Sequence, residues 1–194
     1  MLIFSPIILL TPKQKETYMK HTLATLTLII ATLFTTQAQA DLYLEADPIT
    51  YGLNGHSLHL GIQGGGFRFQ IGAFNAEYPD SFKDNENFDV TQGGYGFKID
   101  YYGKNPEGGF IGIEYGATTA KYQLKTGGEE IEQDVRLLGI RTGYNMKIGK
   151  SLYVMPWIGV DKNLSDTEPV SIGSEEYQVS EWVVFPTVHV GFYF

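Results

Sequence analysis

From residue 41 onward the chain alternates. Tyr95, Phe97, Ile99 and Tyr101 interleave with Gly94, Gly96, Lys98 and Asp100. Ile111, Ile113, Tyr115 and Ala117 interleave with Gly112, Glu114 and Gly116, and Leu138, Ile140, Thr142 and Tyr144 with Gly139, Arg141 and Gly143. The same beat runs through Phe67–Ala73 and from Val184 to the final Phe194. A period of two over such lengths is the signature of a strand with two unlike faces. It predicts eight strands over 41–48, 56–64, 66–76, 90–102, 109–122, 132–146, 150–161 and 179–194. The intervening connections are alternately long and short. The short ones are Gly64-Gly65-Gly66, Gly103 to Gly108 and Lys147 to Gly149; the long ones are 49–55, 77–89, 123–131 and 162–178. That asymmetry fits an all-β, eight-stranded antiparallel up-and-down barrel whose two termini meet at the short-turn end.

The second face decides which side of such a barrel is outside. It is about half glycine and otherwise charged, a poor surface for water. It makes a good filling for the narrow interior of an eight-stranded barrel. The apolar stripe then faces lipid, where every backbone polar group must pair within a closed wall.

Before residue 41 the pattern is different. Met19-Lys20-His21 is basic, Leu23 to Phe34 is an apolar run, and Ala38-Gln39-Ala40 places small residues at −3 and −1. This reads as a secretory signal peptide with cleavage between Ala40 and Asp41. The run is short for a membrane-spanning helix, which needs about twenty residues. Met19 suits the start of such a leader, which leaves residues 1–18 as an upstream extension or a long basic region. The domains are thus 1–40, leader and extension, and 41–194, the barrel.

Composition sharpens this picture. The whole chain has 194 residues, a net charge of −8 and no cysteine. Loss of 1–40 takes away Lys13, Lys15, Lys20 and Glu16, a net +2, so the remaining 154 residues carry −10. All 23 glycines remain, about twice ordinary usage. Absence of cysteine excludes a disulfide scaffold and any thiolate metal or nucleophile site. The acidic balance argues against nucleic acid, which calls for a basic face.

The chain ends Val-His-Val-Gly-Phe-Tyr-Phe. A terminal Phe after alternating apolar residues resembles the last strand of bacterial outer-membrane proteins. With the leader and the loop asymmetry, the segment 41–194 resembles a small eight-stranded outer-membrane barrel of Gram-negative bacteria. The resemblance implies a location in the outer membrane after export through the periplasm. It implies contact with membrane lipid and lipopolysaccharide, and reading of Phe194 by the barrel assembly machinery. It does not imply an activity, because the architecture hosts several.

The interior parity nominates residues. Glu45, Asp47, Asp100, Glu114, Asp161 and Glu181 are the acids, Arg68, Lys98 and Arg141 the bases, with His59 and His189. Pairing is the cheap way to keep charges in a narrow lumen, so Arg68, Lys98, Asp100, Glu114 and Arg141 are expected to form a charge network. The expected pairs are Arg68 with Lys98 or Asp100, Lys98 with Glu114, and Glu114 with Arg141. Glu45, Asp47, His59 and His189 fall near one depth and make a candidate polar or metal cluster. Barrel enzymes that modify lipids use a Ser with His and an acidic partner. Here His189 is followed by no Ser, and Ser57, two residues from His59, lies in no matching motif. No cofactor is implied. Asp80, Asp84, Glu86 and Asp89 could attract Ca2+, and Tyr78, Phe82 and Phe88 could form an adhesive rim. Tyr43, Tyr51, Tyr101, Tyr102, Tyr122, Tyr144, Tyr153 and Trp157 are candidates for interface belts, although Trp157 shares the inward parity. The function these features favour is a monomeric, non-enzymatic barrel with a charge-plugged lumen and acidic outer loops. A narrow porin-like pore or small-ligand or ion carrier, and a lipid-modifying enzyme, are the alternatives.

Overall fold

In the computed structural model, residues 41–105 and 107–194 are described. The leader and its cleavage point lie outside them. Eight antiparallel strands close into a barrel: β1 Asp41–Ala46, β2 His56–Gly64, β3 Phe67–Glu77, β4 Phe88–Tyr101, β5 Gly108–Leu124, β6 Glu130–Ile148, β7 Leu152–Asn163 and β10 Trp182–Tyr193. Each strand pairs with its sequence neighbours, and β1 closes the ring on β10.

Three elements stand outside the ring: a short helix α1 at Pro48–Gly52, a 3-10 turn at Asp80–Phe82, and a hairpin of β8 Val170–Ile172 with β9 Glu175–Tyr177. The expected first strand ran to residue 48 and is corrected here. Asp47 leaves the ladder because its Oδ1 accepts the Ile49 N–H at 2.8 Å, an N-cap. Pro48 follows it, and proline without an N–H suits the first position of a helix better than a ladder. The last strand likewise starts at Trp182 rather than 179, and the connection before it folds into the β8–β9 hairpin.

At the short-turn end β2 and β3 are joined by Gly65 and Gly66 alone, both with φ positive (61 and 82). That is the backbone a two-residue hairpin needs to match strand twist, and glycine adopts it freely. At the other end the wall is uneven. β5 and β6 are 17 and 19 residues long, while β1 and β2 have 6 and 9. The barrel is tall on the β4–β6 side and low where β1 ends, and α1 sits in the low side against β2, β3 and β10.

The two faces are inverted relative to a water-soluble barrel. Exposed apolar side chains ring the outside: Leu60, Ile71, Tyr95, Ile113, Ile140, Ile158 and Val184 on seven of the eight strands, with Ile140 61% and Tyr95 69% exposed. The inside holds Arg68, Arg141, Glu45, Asp100 and His189, each 1% exposed or less.

Candidate functional site

The glycine-rich inner face works as a set of sockets. Large lumenal side chains stand directly across the ladder from glycines: Tyr43 from Gly61, His59 from Gly72, Asp100 from Gly112, Asp161 from Gly139 and Tyr153 from Gly191. A Cβ at any of these glycines would collide with the facing side chain. Small residues opposite large ones let a narrow barrel be filled without a void.

At the short-turn end the filling is one connected polar cluster inside an aromatic cage. Arg68 Nη1 contacts Glu45 Oε1 at 2.8 Å, and its Nε and Nη2 donate to Gln63 Oε1 at 3.0 and 2.8 Å. Nη2 also donates to the Tyr193 hydroxyl. The guanidinium lies 4.4 Å from the Tyr43 ring and 5.0 Å from those of Tyr102 and Tyr153. Glu45 receives Tyr153 O–H on one oxygen, and Gln70 Nε2 and His189 Nδ1 (2.8 Å) on the other. Every ionised group here has a counter-charge or several donors, the condition for burying charge at tolerable cost.

One layer higher, Arg141 lies 3.2 Å from Asp100 and 3.9 Å from Glu114, and its guanidinium is 4.1 Å from the Trp157 ring. The charges are close, but none of its nitrogens is aligned for a hydrogen bond. This layer is held by charge and ring stacking, more loosely than the Arg68 layer. Lys98 faces Glu114 in register, yet among the described residues its ammonium makes no ion pair or hydrogen bond. It lies over Trp157 at 4.7 Å.

These positions revise the expected pairs. Arg68 is opposite Asp100 in register but reaches across the lumen to Glu45 on β1, because a long guanidinium in a narrow barrel spans more than one strand. Arg141 holds both Asp100 and Glu114. The cluster of Glu45, Asp47, His59 and His189 does not assemble as a metal site. Asp47 caps α1 and accepts Thr187 Oγ1 at 2.6 Å. His59 stacks on His189 at 4.9 Å, and Glu45 is shared with Arg68. Among the described residues no group of three metal-ligating side chains converges. Ser57 Oγ accepts the Asp47 N–H at 3.1 Å rather than pairing with His59. Glu181 lies outside, paired with Lys162 at 3.2 Å. Of the expected belt residues, Tyr43, Tyr102, Tyr122, Tyr153 and Trp157 point inward and are buried. Tyr51, Tyr101 and Tyr144 are exposed on the outside. Phe194 is 70% exposed on the outer face beside Phe192, and its N–H donates to Leu42 O at 2.9 Å.

Above the charged layers the lumen turns apolar. Phe88, Val90, Tyr122 and Val135 on the tall wall pack with Val170, Ile172, Tyr177 and Val179. The β8–β9 hairpin therefore closes the inside of the tall wall, with Tyr177 against Phe88 and Tyr122. Several loop acids have partners. Lys83 and Lys125 both bind Asp80 at 2.9 Å and hold its carboxyl below the usual range. Asn87 and Asn85 do the same for Glu175. Asp84 accepts the Gln178 N–H at 3.1 Å. Lys83 also pairs with Asp89, and among the described residues Asp80, Asp84, Glu86 and Asp89 form no group that could hold a metal ion.

Between hairpin and charges lies a cavity of about 470 Å³ with mostly apolar walls. Ala120, Tyr122, Val135 and Phe185 line it above, and Lys98, Glu114, Trp157 and His189 form its floor.

No family model matches the chain, and no curated protein matches it. Among solved structures it is similar to a major outer membrane protein of Thermus thermophilus, at 13% identity over 80% of this chain and 100% of that one, with a TM-score of 0.49. It is also similar to Neisserial surface protein A, at 15% identity over 79% and 92%, TM-score 0.45. A third similarity is to the beta domain of the Bordetella autotransporter BrkA, at 12% identity over 76% and 65%, TM-score 0.32.

Proposed function

We propose that the chain is a non-enzymatic barrel of the bacterial outer membrane, its lumen plugged by charge and its working surface at the long-loop end. The observation that carries this is the inverted wall: exposed apolar side chains on every strand outside, buried ion pairs within. In water that outer face would be an aggregation surface far beyond the few hundred Å² usual for a monomer; in lipid it is the ordinary face of a barrel. The leader and the terminal Phe194 support export and insertion by the assembly machinery, with lipid and lipopolysaccharide as surroundings. The ring closed by β1 on β10, with the edge of β10 beyond Val190 covered by α1, supports a monomer. The Arg68–Glu45 and Arg141–Asp100 layers together support a lumen shut to bulk solute.

The test is refolding of the 41–194 chain in detergent, followed by gel electrophoresis with and without boiling. A band that shifts on boiling, from protein that precipitates in plain buffer, supports the reading. Folded protein soluble without detergent contradicts it and turns the chain into a water-soluble barrel.

A further inference from the structure

The low side of the wall has a consequence for the cavity. β1 pairs with β10 only as far as Ala46 opposite Val190. Above that, the stretch Trp182–His189 of β10 has β7 on one side and α1 on the other. No backbone hydrogen bond joins α1 to β10 among the described residues. The tie between them is the Thr187–Asp47 side-chain bond. On its other flank α1 is fixed more firmly, through Leu53 O to Glu77 N at 3.0 Å, Tyr51 O–H to Ser57 O at 3.0 Å and Asn54 Nδ2 to Glu77 at 3.0 Å. The seam between α1 and β10 is rimmed by Ile49, Trp182, Val184 and Pro186, which also border the cavity. Ile49, Trp182 and Val184 are exposed on the apolar outside. Pro186 has no N–H to leave bare on that edge.

The floor of the same cavity holds Lys98, 7% exposed and without a polar partner among the described residues. Among those residues it is the one lysine or arginine lining the cavity. Asp47, Glu114 and Asp161 line the same cavity, none of them within ion-pair distance of the ammonium. Asp47 serves α1 and Thr187, Glu114 lies beside Arg141, and the free oxygens of Glu114 and Asp161 press on Gly159 and Gly139 in the wall. A buried ammonium without a contacting partner is costly, and a cavity of this size with mostly apolar walls fits a small ligand.

We propose that the cavity takes a single-chain anionic amphiphile of the fatty-acid class, admitted from the lipid through the α1–β10 seam. Its carboxylate sits on Lys98 and its hydrocarbon lies along Ala120, Tyr122 and Phe185. The proposal rests on the membrane-barrel reading above, but its failure is separable: binding can be absent while the band still shifts on boiling.

The test is native mass spectrometry of the refolded chain with oleate and, separately, oleyl alcohol, on wild type, Lys98→Met, Lys98→Arg and Ala120→Trp. The expected result is one oleate retained per chain, kept by Lys98→Arg, and retention at least tenfold weaker in Lys98→Met and in Ala120→Trp, which fills the cavity but leaves the ammonium. Oleyl alcohol is expected to be retained at least tenfold less than oleate. Either of the two weakened variants suffices if the other fails the boiling assay. No retained oleate, equal retention by wild type and variants, or equal retention of acid and alcohol would overturn the proposal.

Discussion

The lower and upper halves of the lumen share one inward parity and fill it in opposite ways. Below, where all eight strands pair around the ring, the filling is charge and aromatic rings seated on glycines. Above, where β1 and β2 have ended, the tall β4–β6 wall turns mostly apolar side chains inward, its few polar ones, Gln92 and Thr118, bonded to each other and to Tyr78. It is covered by the β8–β9 hairpin through Val170, Ile172 and Tyr177. A complete ring can sequester polar groups because its own strands supply the partners. An incomplete ring needs a lid, and apolar packing makes one without requiring matched partners.

The largest expected effect is in the lower half. Arg68→Ala leaves Glu45 buried without its cation and opens the tyrosine cage, a loss of about 3–5 kcal/mol. Urea titration of the boiling-sensitive band in detergent measures it. The double variant Arg68→Met with Glu45→Gln should lose less than Arg68→Ala alone, since replacing both charges avoids an orphan. A smaller loss for Arg68→Ala than for the pair would break the contrast between the halves.

Gly139→Val comes next. The new Cβ meets Asp161 and the Val160 carbonyl, an overpacking that costs about 1–3 kcal/mol. Gly96→Ala is its control: a Cβ there meets only Tyr115 O at 3.9 Å, so the change should stay within about 0.5 kcal/mol. Equal midpoints for the two variants would show that the sockets do not matter.

In the upper half, Tyr177→Ala should free the hairpin while leaving the barrel midpoint unchanged, because β8 and β9 pair with each other and not with the barrel strands. Limited proteolysis should then cut between residues 164 and 181 in the variant and not in wild type. A matching fall in the barrel midpoint would mean that the halves are one cooperative unit.

The smallest effect is a pH dependence in the loop. The Asp80 carboxyl is held below its ordinary 3.8 by Lys83 and Lys125. Its contribution is present above that value and is lost as pH falls through the lowered one. Protease sensitivity of residues 78–87 should therefore rise only in strong acid, and Asp80→Asn should be equally sensitive at neutral and acid pH.

Most of the strands could be read from the sequence because alternation fixes a face without reference to any partner. Strand β2 runs over 56–64 as the alternation predicts, and Arg68, Lys98, Asp100, Glu114 and Arg141 all face the lumen. Partners were harder, since side-chain length and barrel width decide them; Arg68 prefers Glu45 on β1 to its register neighbour Asp100. Helix α1 had a local signal in Asp47-Pro48, hidden by the apolar beat that precedes it. The β8–β9 hairpin had a weaker one, Val170 and Ile172 before Gly173 within acidic text. Parity, applied to the tyrosines as well as to the charges, would have moved Tyr43, Tyr102 and Tyr153 from the belts into the cage.

Planar-bilayer recording of the refolded wild-type chain tests the central claim, a lipid-facing barrel with a closed lumen, most directly. The expected outcome is a protein that inserts, shifts on boiling and gives no steady conductance. Steady, open channels from that same protein would contradict the proposed plug of the Arg68 and Arg141 layers.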